Sequence, residues 1–153
     1  MEYSRTVLHV DDDPAILRLI SKTLSKHDIE VVSVSDPTTA ISRLFDCGAR
    51  VVLLDIDMPK KDGLTLLADI KRHDAGIQVI MCTGLVSIGT VLKSISLGAE
   101  GCIFKPIKDP AAVVESVNRA FENIDRWWIA LHEWMDHNAK AKVEESRYTL
   151  HQS

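Results

Sequence analysis

The 153-residue chain carries 46% hydrophobic and 26% charged residues, proportions that exclude disorder throughout and suit one globular domain with, at most, an appendage. Eighteen Lys and Arg against 22 Asp and Glu leave a formal charge of −4, which argues against capture of nucleic acid by bulk electrostatics. No apolar run approaches the about 20 residues needed to cross a bilayer, and the start, Met1-Glu2-Tyr3-Ser4-Arg5, has no secretory h-region.

In chain order, short apolar runs predict strands at Thr6–Val10, Val31–Val34, Val51–Leu54, Gln78–Cys82 and Gly101–Phe104. Apolar residues on consecutive positions suit strands buried on both faces of a parallel sheet. Between them the apolar period lengthens. Ile16, Leu17, Ile20 and Leu24 form one helical stripe, and further helices are predicted at Thr38–Phe45, Leu64–Arg72, Ser87–Leu97 and from Pro110 onward. Asp13-Pro14, Asp36-Pro37 and Asp109-Pro110 each set an acidic N-cap before a proline at the first helical position. Gly76 and Gly98 are expected as left-handed residues at helix C-termini. Strand–helix alternation with right-handed crossovers gives a parallel α/β sheet covered on both faces.

The last helix is long for its task. Val113, Val117, Phe121, Ile124, Trp128, Leu131 and Met135 continue its stripe, and Trp127 and Trp134 join it. That stripe exceeds what a small sheet covers and is expected to meet a second copy or an effector; from His137 the chain turns polar and is expected to fray. His132 and His137, five apart, do not share a helical face and are expected to be solvated. Cys47, Cys82 and Cys102, an odd number without a C-x-x-C pair, are expected as reduced, mostly buried thiols of a cytoplasmic protein.

Ligands of open parallel sheets bind beyond the carboxyl ends of the strands. Strand one is followed by Asp11, Asp12 and Asp13, strand three by Asp55 and Asp57, strand four by Thr83 and strand five by Lys105. Asp13, directly before Pro14, is assigned to capping alone, and His9 to a satisfied core position. Two carboxylates ~4 Å apart repel by about 4 kcal/mol at an effective dielectric of ~20, so a divalent cation, a shared proton or Lys105 must offset them. Oxygen-only ligands favour a hard ion, of which Mg²⁺ usually keeps waters while taking one or two carboxylates plus a phosphate oxygen. A carboxylate, a hard ion, an ammonium and a hydroxyl together form a kit for phosphoryl transfer.

The segments Val7-Leu8-His9-Val10-Asp11-Asp12-Asp13-Pro14, Val51-Val52-Leu53-Leu54-Asp55-Ile56-Asp57-Met58-Pro59-Lys60-Lys61-Asp62-Gly63, Ile80-Met81-Cys82-Thr83-Gly84 and Ile103-Phe104-Lys105-Pro106 resemble the receiver domain of two-component response regulators. The resemblance implies a flavodoxin-like, doubly wound, five-stranded parallel sheet of order 2-1-3-4-5, here with an extended C-terminal helix. It implies Asp55 as phosphoacceptor from a sensor histidine kinase or phosphotransfer protein. Mg²⁺ would be bound by the side chains of Asp12 and Asp55, the backbone carbonyl of Asp57 and, through water, Asp11, with Thr83 and Lys105 on the phosphoryl oxygens. The chain is then a switch acting on a downstream effector, not a metabolic enzyme. It divides into a receiver over 1–125 and a helical extension with a polar tail over 126–153, without a separate output domain; a homodimer through the last helix is expected, and membrane or direct nucleic-acid binding is not.

The chain also departs from the family pattern. Cys102, three before Lys105, stands where the family commonly has a switch aromatic, and Phe104 is expected on the opposite face from it. Asp57 and Leu85, each two beyond a site residue, occupy positions that tune phosphoryl lifetime in this family. Two other readings stand beside this one. Asp55-Ile56-Asp57 also resembles the nucleophile motif of haloacid-dehalogenase-type phosphatases, although the acidic cluster here lies upstream and no second acidic pair follows Lys105. A receiver fold serving as a scaffold, never phosphorylated, is the third; it leaves the repelling carboxylates without a purpose.

Overall fold

A computed structural model of the chain describes residues 3–84 and 87–150. Strands β1 (Thr6–Val10), β2 (Glu30–Val34), β3 (Val51–Leu54), β4 (Gln78–Thr83) and β5 (Gly101–Phe104) alternate with helices α1 (Pro14–Ser25), α2 (Ala40–Cys47, entered by a 3₁₀ turn at Pro37–Thr39), α3 (Gly63–His73), α4 (Ile88–Ser96) and α5 (Pro110–Leu150). The sheet is wholly parallel, in the order β2-β1-β3-β4-β5. The sequence-based elements therefore hold, with ends moved by one or two residues.

All three acidic caps form as expected. Asp13, Asp36 and Asp109 accept the amides of Ala15, Thr38 and Ala111 at 2.9, 3.0 and 2.9 Å. Asp62 and Ser87 cap α3 and α4 in the same manner, through the amides of Thr65 and Thr90.

Side chains alternate across each strand, so β1, β3 and β4 feed two layers. Leu8, Val10, Val52, Leu54, Val79 and Met81 share one core with Leu44 of α2 and Leu66, Leu67 and Ile70 of α3. Val7, His9, Val51, Leu53, Ile80 and Cys82 turn the other way and are also buried, as are Ile20 and Leu24 of α1 and Val113, Val117 and Phe121 of α5. Each such aliphatic burial stabilises by roughly 1.5–3 kcal/mol. Tyr3 stacks on Phe121, with ring centroids 6.0 Å apart, and its hydroxyl donates to the Phe121 carbonyl at 3.1 Å.

The structure corrects three expectations. Gly76 is not left-handed: α3 ends on Asp74 in extended geometry, and the Asp74 carboxylate accepts the Gly76 amide at 2.8 Å instead. The left-handed glycines are Gly48, which closes α2, and Gly98. The polar stretch from His137 does not fray, since α5 runs to Leu150. Phe104 does not oppose Cys102. Residues two apart share a strand face, with the buried Ile103 turned the other way. Of the thiols, Cys82 alone is buried, and Cys47 and Cys102 are half-buried.

The chain falls into two compact units, a body ending at Phe121 and a C-terminal unit beginning at Glu122. In the latter, Trp127 and Trp134 are 75% and 65% exposed, with Leu131 and Met135 also exposed. No helix among the described residues is long and apolar enough to cross a membrane.

Candidate phosphoryl-acceptor site

The parallel register brings the strand ends to one rim. Val10 lies beside Leu54, Leu54 beside Met81, and Met81 beside Cys102. Backbone bonding continues one step beyond the strands: Asp11 N–H donates to Val34 O at 3.1 Å, Asp55 N–H to Val10 O at 3.0 Å, and Lys105 N–H to Thr83 O at 2.9 Å. Ladder hydrogen bonds, rather than mobile loop, thus aim these side chains.

Asp11 and Asp55 are buried, whereas Asp12 and Asp57 are exposed. Carboxylate oxygens of Asp11, Asp12 and Asp55 lie within 4.8 Å of one another. Asp57's side chain is not part of that group; the resemblance assigns it a backbone role. Asp11 Oδ1 accepts the Asp13 amide at 2.9 Å, and Asp55 Oδ1 accepts the Ile56 amide at 2.8 Å. The second oxygen of each faces Lys105, whose Nζ is 2.6 Å from Asp11 Oδ2 and 3.3 Å from Asp55 Oδ2.

Lys105 therefore offsets the repulsion between the carboxylates. Burial works against its ammonium, but the hydrogen bond to Asp11 and the charges of Asp11 and Asp55 outweigh this, and its pKa rises. Burial pushes the Asp11 carboxyl above its usual range despite Lys105. Thr83 ends β4 fully buried, while Leu85 lies outside the described residues. The donor set, carboxylate oxygens alone, fits a hard divalent cation.

Sequence reasoning missed two residues here. Gly63 N–H donates to Ile56 O at 2.7 Å, and a Cβ on Gly63 would sit 1.9 Å from the Asp55 carbonyl oxygen. Only glycine lets α3 start this close to the Asp55 backbone; the turn-forming Asp62-Gly63 pair was the available signal. His9 is the second. It is fully buried, yet neither ring nitrogen has a hydrogen-bond partner among the described residues, which corrects its assignment as a satisfied core residue. Its place two before Asp11, on the same strand face, was legible; its missing partner was not.

One further surface belongs to the body. Ile88, Leu92 and Ile95 of α4, at i, i+4 and i+7, are 81%, 60% and 63% exposed, while Ser94 is buried and donates to the Thr90 carbonyl. Helix α4 thus turns its apolar stripe to solvent, and Phe104 on β5 is exposed as well.

Residues 7–118 match the response regulator receiver domain family. The chemotaxis protein CheY of Bacillus subtilis is 32% identical over 114 residues, covering 74% of this chain and 94% of its own. Among solved structures, a CheY-like receiver domain protein from Methanospirillum hungatei superposes with a TM-score of 0.77 at 26% identity, covering 81% of this chain and 98% of its own. The BeF3-activated N-terminal receiver domain of RstA from Klebsiella pneumoniae gives 0.70 at 31% identity, with 75% and 97% covered. Proteins of this family are signalling regulators that take phosphoryl groups from histidine kinases and act on downstream effectors, and the rim of Asp11, Asp12, Asp55, Thr83 and Lys105 sits where parallel α/β sheets bind ligands. From its sheet order, its strand-end acids and its match across residues 7–118, this chain belongs to the response regulator receiver domains of two-component systems.

Proposed function

We propose that Asp55 is a Mg²⁺-dependent phosphoacceptor charged by a sensor histidine kinase or a phosphotransfer protein. The observation that carries this reading is the position of one ammonium, Lys105 Nζ, between Asp11 and Asp55 within a three-carboxylate group. Asp55 Oδ2, the oxygen not held by the Ile56 amide, attacks the phosphorus of a phosphohistidine or a small acyl phosphate. A bond from Asp55 to phosphorus forms as the donor's bond to phosphorus breaks, and the donor leaves with the electron pair. Lys105 and Thr83 take up phosphoryl oxygen charge. Asp12 and Asp55, with the Asp57 carbonyl and, through water, Asp11, would hold Mg²⁺, which would supply neutralisation of phosphoryl oxygen charge. Hydrolysis of the acyl phosphate at the same site returns the resting form. The likeness to a receiver activated by BeF3 supports this chemistry.

Phosphorylation shifts a two-state equilibrium toward a form that holds an effector. Cys102 offers no ring to swing, so the readout uses other parts of the α4–β5 surface. The outward stripe of Ile88, Leu92 and Ile95 supports an apolar contact there. The receiver, read over 1–125, bears a helical extension whose exposed Trp127 and Trp134 support pairing with a second copy; a chain whose sedimentation is unchanged by replacing both with Glu contradicts that pairing. The reading places the protein in the cytoplasm, beside its kinase.

Incubation of the chain with acetyl phosphate and Mg²⁺, followed by intact mass measurement, tests the reading. One added phosphoryl group is expected; an unchanged mass at saturating donor overturns it.

A further inference from the structure

We infer that His9 is a positioning residue, a reserve hydrogen-bond donor that takes over Asp11 when Lys105 moves to the phosphoryl group. This inference rests on the phosphoacceptor reading. The ring is fully buried in β1, two residues before Asp11 on the same face. Its Nε2 is 4.0 Å from Asp11 Oδ2, the oxygen that receives Lys105 Nζ at 2.6 Å. Neither ring nitrogen has a partner among the described residues. In its neutral form the imidazole carries a single N–H. A buried donor left without an acceptor destabilises the resting form.

A phosphoryl group on Asp55 supplies new anionic oxygens next to Lys105 Nζ, which already lies 3.3 Å from Asp55 Oδ2. As the ammonium turns to them, Asp11 Oδ2 stays buried and loses its donor. A movement of about 1 Å brings His9 Nε2–H into hydrogen-bond range of that oxygen. The orphaned donor and the orphaned acceptor then satisfy each other, and only in the phosphorylated form. His9 thereby biases the equilibrium toward that form in both directions: it weakens the resting state and holds Asp11 in the active one.

The test uses the full chain with ¹⁵N-labelled imidazoles, observed by NMR before and after addition of acetyl phosphate with Mg²⁺, while intact mass on the same sample reports phosphorylation. The expected result is a His9 Nε2–H resonance that moves downfield and becomes protected from exchange only in the phosphorylated sample. Phosphorylation with an unchanged His9 ring overturns the inference and leaves the role of Asp55 standing; a chain that takes no phosphoryl group overturns both. Two variants give a second readout. His9→Leu is expected to melt above wild type in the resting form yet to lower the phosphorylated-to-resting ratio at fixed donor about tenfold, the scale of one hydrogen bond to a charged group. His9→Gln, which keeps a donor, is expected to recover most of that loss. A His9→Leu chain that melts below wild type, or that phosphorylates as well as wild type, overturns the inference.

Discussion

Lys105 and Asp11, 94 residues apart in sequence, are joined by a 2.6 Å hydrogen bond, and the same ammonium stands 3.3 Å from Asp55. One cation therefore balances two carboxylates, of which Asp11 is fully buried. In the resting protein Lys105 performs the neutralisation that a bound Mg²⁺ would otherwise share with it.

Replacing that cation should be costly. Lys105→Met leaves the two carboxylates uncompensated and is expected to destabilise the fold by about 3 kcal/mol, the scale for removing one member of a buried ion pair. Urea unfolding measures it. Millimolar Mg²⁺ should narrow the deficit, and a variant as stable as wild type without metal would contradict the assigned charge balance.

Mg²⁺ is expected to raise the melting temperature of the wild-type chain, because an ion that binds only the folded form adds ~1.4 kcal/mol at ten times its dissociation constant. Asp12→Asn, which removes the exposed member of the carboxylate group, should lose most of the rise. A thermal scan across a metal titration reads both, and equal rises would place the ion elsewhere.

Gly63→Ala should destabilise the β3–α3 connection by about 2 kcal/mol or more, since its Cβ would lie 1.9 Å from a backbone oxygen that has no rotamer to yield. Gly48→Ala is the contrast. Its φ of +64° costs about 1 kcal/mol of strain, but a Cβ there meets nothing within 4 Å. Thermal unfolding of the pair tests whether close approach outweighs backbone strain here.

Asp62 caps α3 through the Thr65 amide, which holds its carboxyl below the usual range. A depressed acid contributes stability in full above its unfolded pKa, near 3.8, and loses it as pH falls through the lower folded value. Asp62→Ala is accordingly expected to cost about 1 kcal/mol at pH 7. The gap between variant and wild type should shrink below about pH 4 as the wild-type cap takes up its proton. Urea midpoints at pH 7 and pH 3 measure it; a gap that does not vary with pH would assign the cost to something other than the charged cap.

Where local chemistry decided the structure, it was legible. Doubly buried β1, β3 and β4 came from their unbroken apolar runs, though the edge strands β2 and β5, read the same way, carry exposed residues. Asp13, Asp36 and Asp109 came from the prolines that follow them. The rim was legible too, because a parallel sheet places the residue after each strand on the same side. What depended on tertiary context was not. Gly76 reads as a helix end, but the Asp74 carboxylate captures its amide first. The outward stripe of α4 and the buried His9 show the same limit, since periodicity shows that residues share a face and not which neighbour waits there. The polar end of α5 has weak apolar patterning but remains helical to Leu150.

The central claim is that Asp55 accepts phosphorus. Wild type and Asp55→Asn, incubated side by side with labelled acetyl phosphate and Mg²⁺, test it most directly, with circular dichroism to show that both are folded. The account predicts base-labile label on wild type and none on the variant; label of equal extent on a folded Asp55→Asn chain would contradict it.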